Sequence, residues 1–129
     1  ECADLTAEDK EQALTWHQEL FPDGTVDARL HAAANCGAIG CPNLLAEAPY
    51  VYRGDLLEEQ LTAKTRAWLA NTEKGAGPNG ISNIFEWFQK DVVAEEGSVS
   101  AWIEKHREGG IADVDVNQIL DYDWVLNAP

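Results

Sequence analysis

Methionine is missing altogether from the 129 residues, and cations are scarce: nine lysines and arginines stand against 23 aspartates and glutamates. With glutamate as the first residue, the lack of methionine leads us to expect a processed product of a longer precursor, in an organellar lumen or secreted. The shortage of cations leaves a net charge of −14, spread along the chain rather than gathered in a tail, with 4 basic and 12 acidic residues in 1–64 and 5 and 11 in 65–129. A surface of that sign repels phosphate backbones and anionic headgroups, which argues against nucleic-acid binding and against charge-driven attachment to membranes. What it leaves open is docking to the basic surface of a protein partner.

Long apolar runs are lacking too. The longest uncharged stretch, Leu30 to Ala46, is interrupted by His31, Asn35, Gly37, Gly40, Pro42 and Asn43, so no transmembrane segment is expected. Cysteine appears three times, one short of the four thiolates of an iron–sulfur cluster. An odd count fits buried thiols in a reducing compartment, or one bridge and a leftover thiol in an oxidising one.

What is present suits a single globular domain over 1–129: 45% hydrophobic residues, 25% charged residues and five tryptophans for a core or an interface. Thr6 can cap a helix whose face is Ala13, Leu14, His17, Leu20 and Phe21, stopped by Pro22-Asp23-Gly24. Asp55 can cap a second, with Glu58 and Glu59 in its first turn and Leu57, Leu61, Trp68 and Leu69 on its face. KGAGPNG, residues 74–80, reads as a loop. The spacing of Ile81, Ile84, Phe85, Phe88 and Val92 predicts one helix over 82–93. Gly97-Ser98 opens another, with Val99, Trp102, Ile103 and His106 on one face and Gly109-Gly110 closing it. The terminal QILDYDWVLN reads as a strand or extended segment, which makes the fold class α+β, helix-rich with a small β component.

Chemistry concentrates in LHAAANCGAIGCP, residues 30–42, where four residues separate Cys36 from Cys41. Zinc would need two more ligands, and only His31 is near, so no metal and no cofactor is expected. DVDVN from Asp113 begins like a calcium loop, but Gln118 and Trp124 stand where glycine and glutamate are required. GAGPNGIS has no Gly-Lys-Ser/Thr ending to cradle a phosphate. A nucleophilic Cys36 would draw on His31 or Arg29 to lower its pKa, against the negative field of the whole chain. Core burial of the stretch is the competing reading. A Cys36–Cys41 disulfide is the third, eased by Gly37 and Gly40 and worth about 2 kcal/mol in the loop-entropy picture. His17 and His106 fall on apolar faces and read as packed, hydrogen-bonded core histidines.

Three blocks together resemble the domain of unknown function 547 family: DARLHAAANCGAIGCPNL (27–44), ISNIFEWFQKDV (81–92) and YDWVLN (122–127). The resemblance covers 27–127 and leaves 1–26 as a divergent N-terminal helix. It implies His31, Asn35, Cys36, Cys41, Pro42, Trp87, Trp124 and Asn127 as motif residues. The family's serines between the two cysteines are Ala38 and Gly40 here, and its upstream half is not reproduced. The expectation is therefore a non-catalytic, shortened member. It would be an acidic interaction or structural domain, a processed accessory subunit of a larger organellar, for instance photosynthetic, complex. The alternative is a thiol-dependent hydrolase or transferase with Cys36 as nucleophile and His31 as base.

Overall fold

A computed structural model describes residues 6–20, 24, 26–45 and 50–127. Among these are six helices and one two-stranded sheet: α1 Ala7–Leu20, α2 Leu30–Ala33, α3 Leu57–Ala70, β1 Ala76–Gly77, β2 Gly80–Ile81, α4 Ile84–Trp87, α5 Gln89–Glu96 and α6 Val99–His106. This is the expected helix-rich α+β arrangement.

α1 begins as expected, with Thr6 Oγ1 accepting the Asp9 N–H at 3.1 Å and Asp9 Oδ2 accepting the Thr6 N–H at 2.9 Å. Within its apolar stripe Ala13 and Leu14 are exposed, as are Trp16 and every other α1 side chain described. The side chains of His17 and Leu20, together with Phe21 to Asp23 and Cys2, lie outside the described residues.

α3 starts at Leu57 without a side-chain cap, contrary to the role expected of Asp55. The Asp55 carboxylate is drawn instead to the Arg53 guanidinium, 2.7 Å away. α3 buries Leu61, Thr65, Trp68 and Leu69. Trp68 stacks on Phe85 at 5.1 Å, and Phe85 meets Trp102 edge-on at 5.8 Å, so three rings from α3, α4 and α6 form the centre of the core. Ala28, Ala32, Ile81, Val92 and Ile103 close around them.

The segment expected to be a loop is the sheet itself. Ala76 pairs with Ile81 and Gly77 with Gly80 across a Pro78-Asn79 turn. Two glycines make it compact. A Cβ on Gly75 would lie 1.9 Å from the Trp68 carbonyl oxygen, and Gly80 has φ +138 with Gln118 O pressed against it.

The single helix expected over 82–93 is broken. Phe88, at φ −115 and ψ 24, ends α4 and precedes α5. The break separates two demands that one straight stripe cannot meet. Ile84 and Phe85 fill the core, whereas the Phe88 ring turns outward to stack on His31 at 4.0 Å. α5 stops at Gly97 in the left-handed region, and Ser98 Oγ caps α6 by accepting the Ala101 N–H at 3.1 Å. α6 ends at His106, one residue before Arg107 rather than at the glycine pair. His106 packs on Trp102 at 4.4 Å as expected, but its Nε2 is buried with no hydrogen-bond partner among the described residues.

The C-terminal stretch is extended, and it is anchored twice. Ile81 pairs with Ile119 in a parallel bridge, and Ala38 pairs with Leu126 in an antiparallel one. The second bridge brings the terminal residues onto the cysteine loop.

Candidate dithiol site

Asn35 shapes the loop. Its Oδ1 accepts the Gly37 N–H and its Nδ2 donates to the Pro42 carbonyl, both at 2.7 Å, so one side chain clamps the loop at two points. Gly37 supplies the positive φ of +89 that the turn requires. Gly40 leaves room for the incoming C-terminal strand, since a Cβ there would stand 2.9 Å from Asp123 N. Three backbone bonds then fasten that strand: Ile39 N–H to Val125 O at 2.9 Å, Gly40 N–H to Asp123 O at 2.9 Å and Asn127 N–H to Gly37 O at 2.7 Å.

These constraints bring the two thiols together. Both cysteines are free, with their sulfurs 3.0 Å apart. Cys41 is buried, at 4% exposure, and its Sγ accepts the Cys36 N–H at 3.1 Å. Cys36 is exposed. Tyr122, carried in on the docked strand, places its hydroxyl 2.9 Å from Cys41 Sγ and 3.7 Å from Cys36 Sγ.

The electrostatics correct the expectation of a hostile field for a thiolate. Cys36 is lowered from 9.0 to about 7, first by its hydrogen bond with Cys41, then by the Ala38 backbone and by the Tyr122 hydroxyl. Local donors outweigh a net charge dispersed over the surface, because exposed charges beyond about 10 Å are screened by salt. Burial and the neighbouring sulfurs push Tyr122 well above its usual 10.0, so it stays a phenol and a donor. Neither residue expected to activate Cys36 is hydrogen-bonded to it among the described residues. Arg29 holds Asp27 and Glu58, each at 2.6 Å. His31 directs Nε2 to Asp91 Oδ2 at 2.9 Å. Among the described residues His31 makes no hydrogen bond to Cys36, although both face the same cleft.

That cleft has a volume of about 370 Å³. His31, Asn35, Cys36, Cys41, Pro42, Trp87 and Trp124 all line it, from three separated stretches of chain. Asn127 does not: it contributes its backbone to the strand pairing at Gly37. The stretch expected to be a buried loop is buried only in part, at Ala32, Ala38, Gly40, Cys41 and Pro42, with Cys36 facing out. Sequence reasoning singled out neither Tyr122 nor Asp91. Tyr122 sits two residues before Trp124, so its block was visible, whereas nothing local ties Asp91 to His31 across 60 positions.

Among the described residues no three histidine, cysteine or carboxylate side chains gather as a metal site. Asp113 of the calcium-like stretch pairs with Arg107 at 2.6 Å. No described helix is long and apolar enough to cross a membrane. No family model matches the chain, and no curated protein or solved structure does either.

Proposed function

We propose that Cys36 and Cys41 are a thiol–disulfide exchange pair, with Cys36 the attacking thiolate and Cys41 the resolving thiol. The observation that carries this reading is their asymmetry at 3.0 Å: one sulfur is exposed while its neighbour is buried, and the hydrogen bonds around Cys36 lower its pKa. The Cys36 thiolate attacks one sulfur of a substrate disulfide, forming a mixed disulfide and expelling the other sulfur as a thiolate. Cys41 gives up its proton to that leaving thiolate and attacks Cys36 Sγ. This closes the Cys36–Cys41 bridge and releases the second substrate thiolate. Two electrons pass from the dithiol to the substrate, and the same steps in reverse oxidise a substrate dithiol.

Tyr122 supports both stages by holding a hydrogen-bond donor against the two sulfurs. Iodoacetamide labelling across about pH 5 to 10, in a Cys2→Ser background, tests the reading. The rate should rise with a midpoint near 7, set by Cys36. A glutathione redox buffer should then convert the pair to a bridge, read by mass as the loss of two hydrogens. A labelling rate that stays low until above about pH 8, or a pair that never closes, overturns it.

The acidic interaction domain is the second reading, favoured by the exposed rings of Trp87 and Trp124 together with the net charge of −14. On it the chain is an accessory subunit bound to a basic partner, and the shared surface of the motif residues is what a shortened relative of the domain of unknown function 547 family would retain. Gentle purification from its source should recover it in a larger assembly. Elution as a lone monomer counts against that.

A further inference from the structure

The cleft beside Cys36 has a chemistry of its own, beyond what thiol exchange requires. Trp87, Tyr122 and Trp124 gather into one cluster of tilted rings, with centroids 4.8 Å, 4.6 Å and 5.5 Å apart, yet Trp87 is 45% and Trp124 68% exposed. Phe88 and Ile84 continue the wall. Val125 and Leu126, also well exposed, extend the apolar surface along the docked strand. Exposed clustered aromatics are costly to a free surface and characteristic of a recognition patch. Among the described residues no lysine or arginine lines the cleft, and the imidazole in it is held by Asp91. The chain that carries the cleft has a net charge of −14.

We infer that the substrate of this dithiol is a polypeptide cysteine with a large apolar or aromatic residue beside it and basic residues flanking the pair. The apolar side chain enters the tryptophan-walled cleft and sets the cysteine sulfur against Cys36 Sγ. The flanking cations are drawn by the negative field of the whole chain. The volume of about 370 Å³ is enough for one such side chain with its adjoining backbone, at the small end of ligand clefts. This inference rests on the exchange reading, and it adds the identity of the substrate.

The test uses the full chain with Cys2→Ser and short peptides whose single cysteine carries a thiopyridyl disulfide. One has Trp-Cys between lysines, one Ser-Cys between lysines and one Trp-Cys between glutamates. Thiopyridone release gives each rate, divided by the same peptide's rate with 2-mercaptoethanol to remove its intrinsic reactivity. The first peptide should react at least about tenfold faster than either other. Salt at about 0.5 M should shrink the lysine preference and leave the tryptophan preference in place. Trp124→Ala should bring the Trp-to-Ser ratio close to one, whereas Trp16→Ala, on the exposed face of α1, should leave it unchanged. Equal rates for all three peptides, with normal reactivity toward 2,2′-dithiodipyridine, overturn the inference and leave exchange standing. If the small disulfide is also inert, the exchange reading has failed. The cleft is then tested by titrating the Trp-Ser lysine peptide against Cys36→Ser and following tryptophan fluorescence. Saturable binding supports the specificity, and none overturns it.

Discussion

Tyr122 and Asn35, both uncharged, shape the dithiol: one reaches its sulfurs and the other clamps its loop. The Tyr122 hydroxyl is within hydrogen-bond reach of both sulfurs, and Tyr122→Phe keeps the ring cluster with Trp87 and Trp124 while deleting only that donor. The Cys36 pKa should move up from about 7, so iodoacetamide labelling at neutral pH should slow roughly twofold, as for a shift of about half a unit. A rate unchanged by the substitution would remove Tyr122 from the site. Asn35→Ala removes two loop-closing bonds, each worth about 1 kcal/mol net, so denaturant unfolding should report a loss of about 2 kcal/mol. Asn35→Asp retains the acceptor for Gly37 and should lose about half as much. The sequence made Asn35 and the cysteines visible as a block. It could not show which sulfur is covered, because that depends on a strand arriving from more than 80 residues away.

At the scale of elements, local signals located the starts of α1 and α6, failed at α3, where Asp55 pairs with Arg53, and failed where the partner was distant. The caps of α1 and α6 follow from Thr6 and Ser98 contacting their own first turns. The break at Phe88 did not, because the apolar period of 81–92 is shared by residues that face opposite sides: Phe85 meets Trp68 and Trp102, Phe88 meets His31. The hairpin in KGAGPNG was hidden because glycine and proline mark a turn without disclosing that two-residue strands flank it. The docked C-terminal strand is the element on which the site depends, and Gly40 is its point of entry. Gly40→Ala would drive a Cβ into Asp123 N and O, at 2.9 Å and 3.1 Å. We expect a loss of about 1–3 kcal/mol from the crowding. We also expect faster hydrogen exchange at the Ile39 and Gly40 amides and a rise in the Cys36 labelling midpoint as Tyr122 withdraws. Labelling and exchange that stay at their original values would mean that the strand is not what positions the thiols.

Across the whole molecule, the charge of −14 and the titrations of the site act on stability in separate pH ranges. Arg29 and Arg107 hold Asp27, Glu58 and Asp113 below their usual range, so the unfolded chain binds more protons at acid pH and stability falls as those carboxylates protonate. His106 is lowered by burial, which adds a loss as pH drops below 6.5 and the imidazole is forced to charge. Cys36 has the same sign at higher pH. Its folded value of about 7 lies below the 9.0 of an unperturbed thiol, so between these values the unfolded state holds the extra proton and stability rises with pH. Tyr122 has the opposite sign: raised above 10.0, it remains protonated in the fold while the unfolded phenol ionises, and stability falls beyond that point. The reduced protein should therefore become more resistant to urea from about pH 7 to 9 and less so above about 10. Once Cys36 and Cys41 are bridged, the rise between 7 and 9 should disappear, because neither of these thiols remains to titrate, while the acid-side loss from the carboxylates and His106 persists. Urea midpoints measured in parallel on reduced and oxidised protein separate the two. A rise that survives oxidation would assign it to some group other than Cys36.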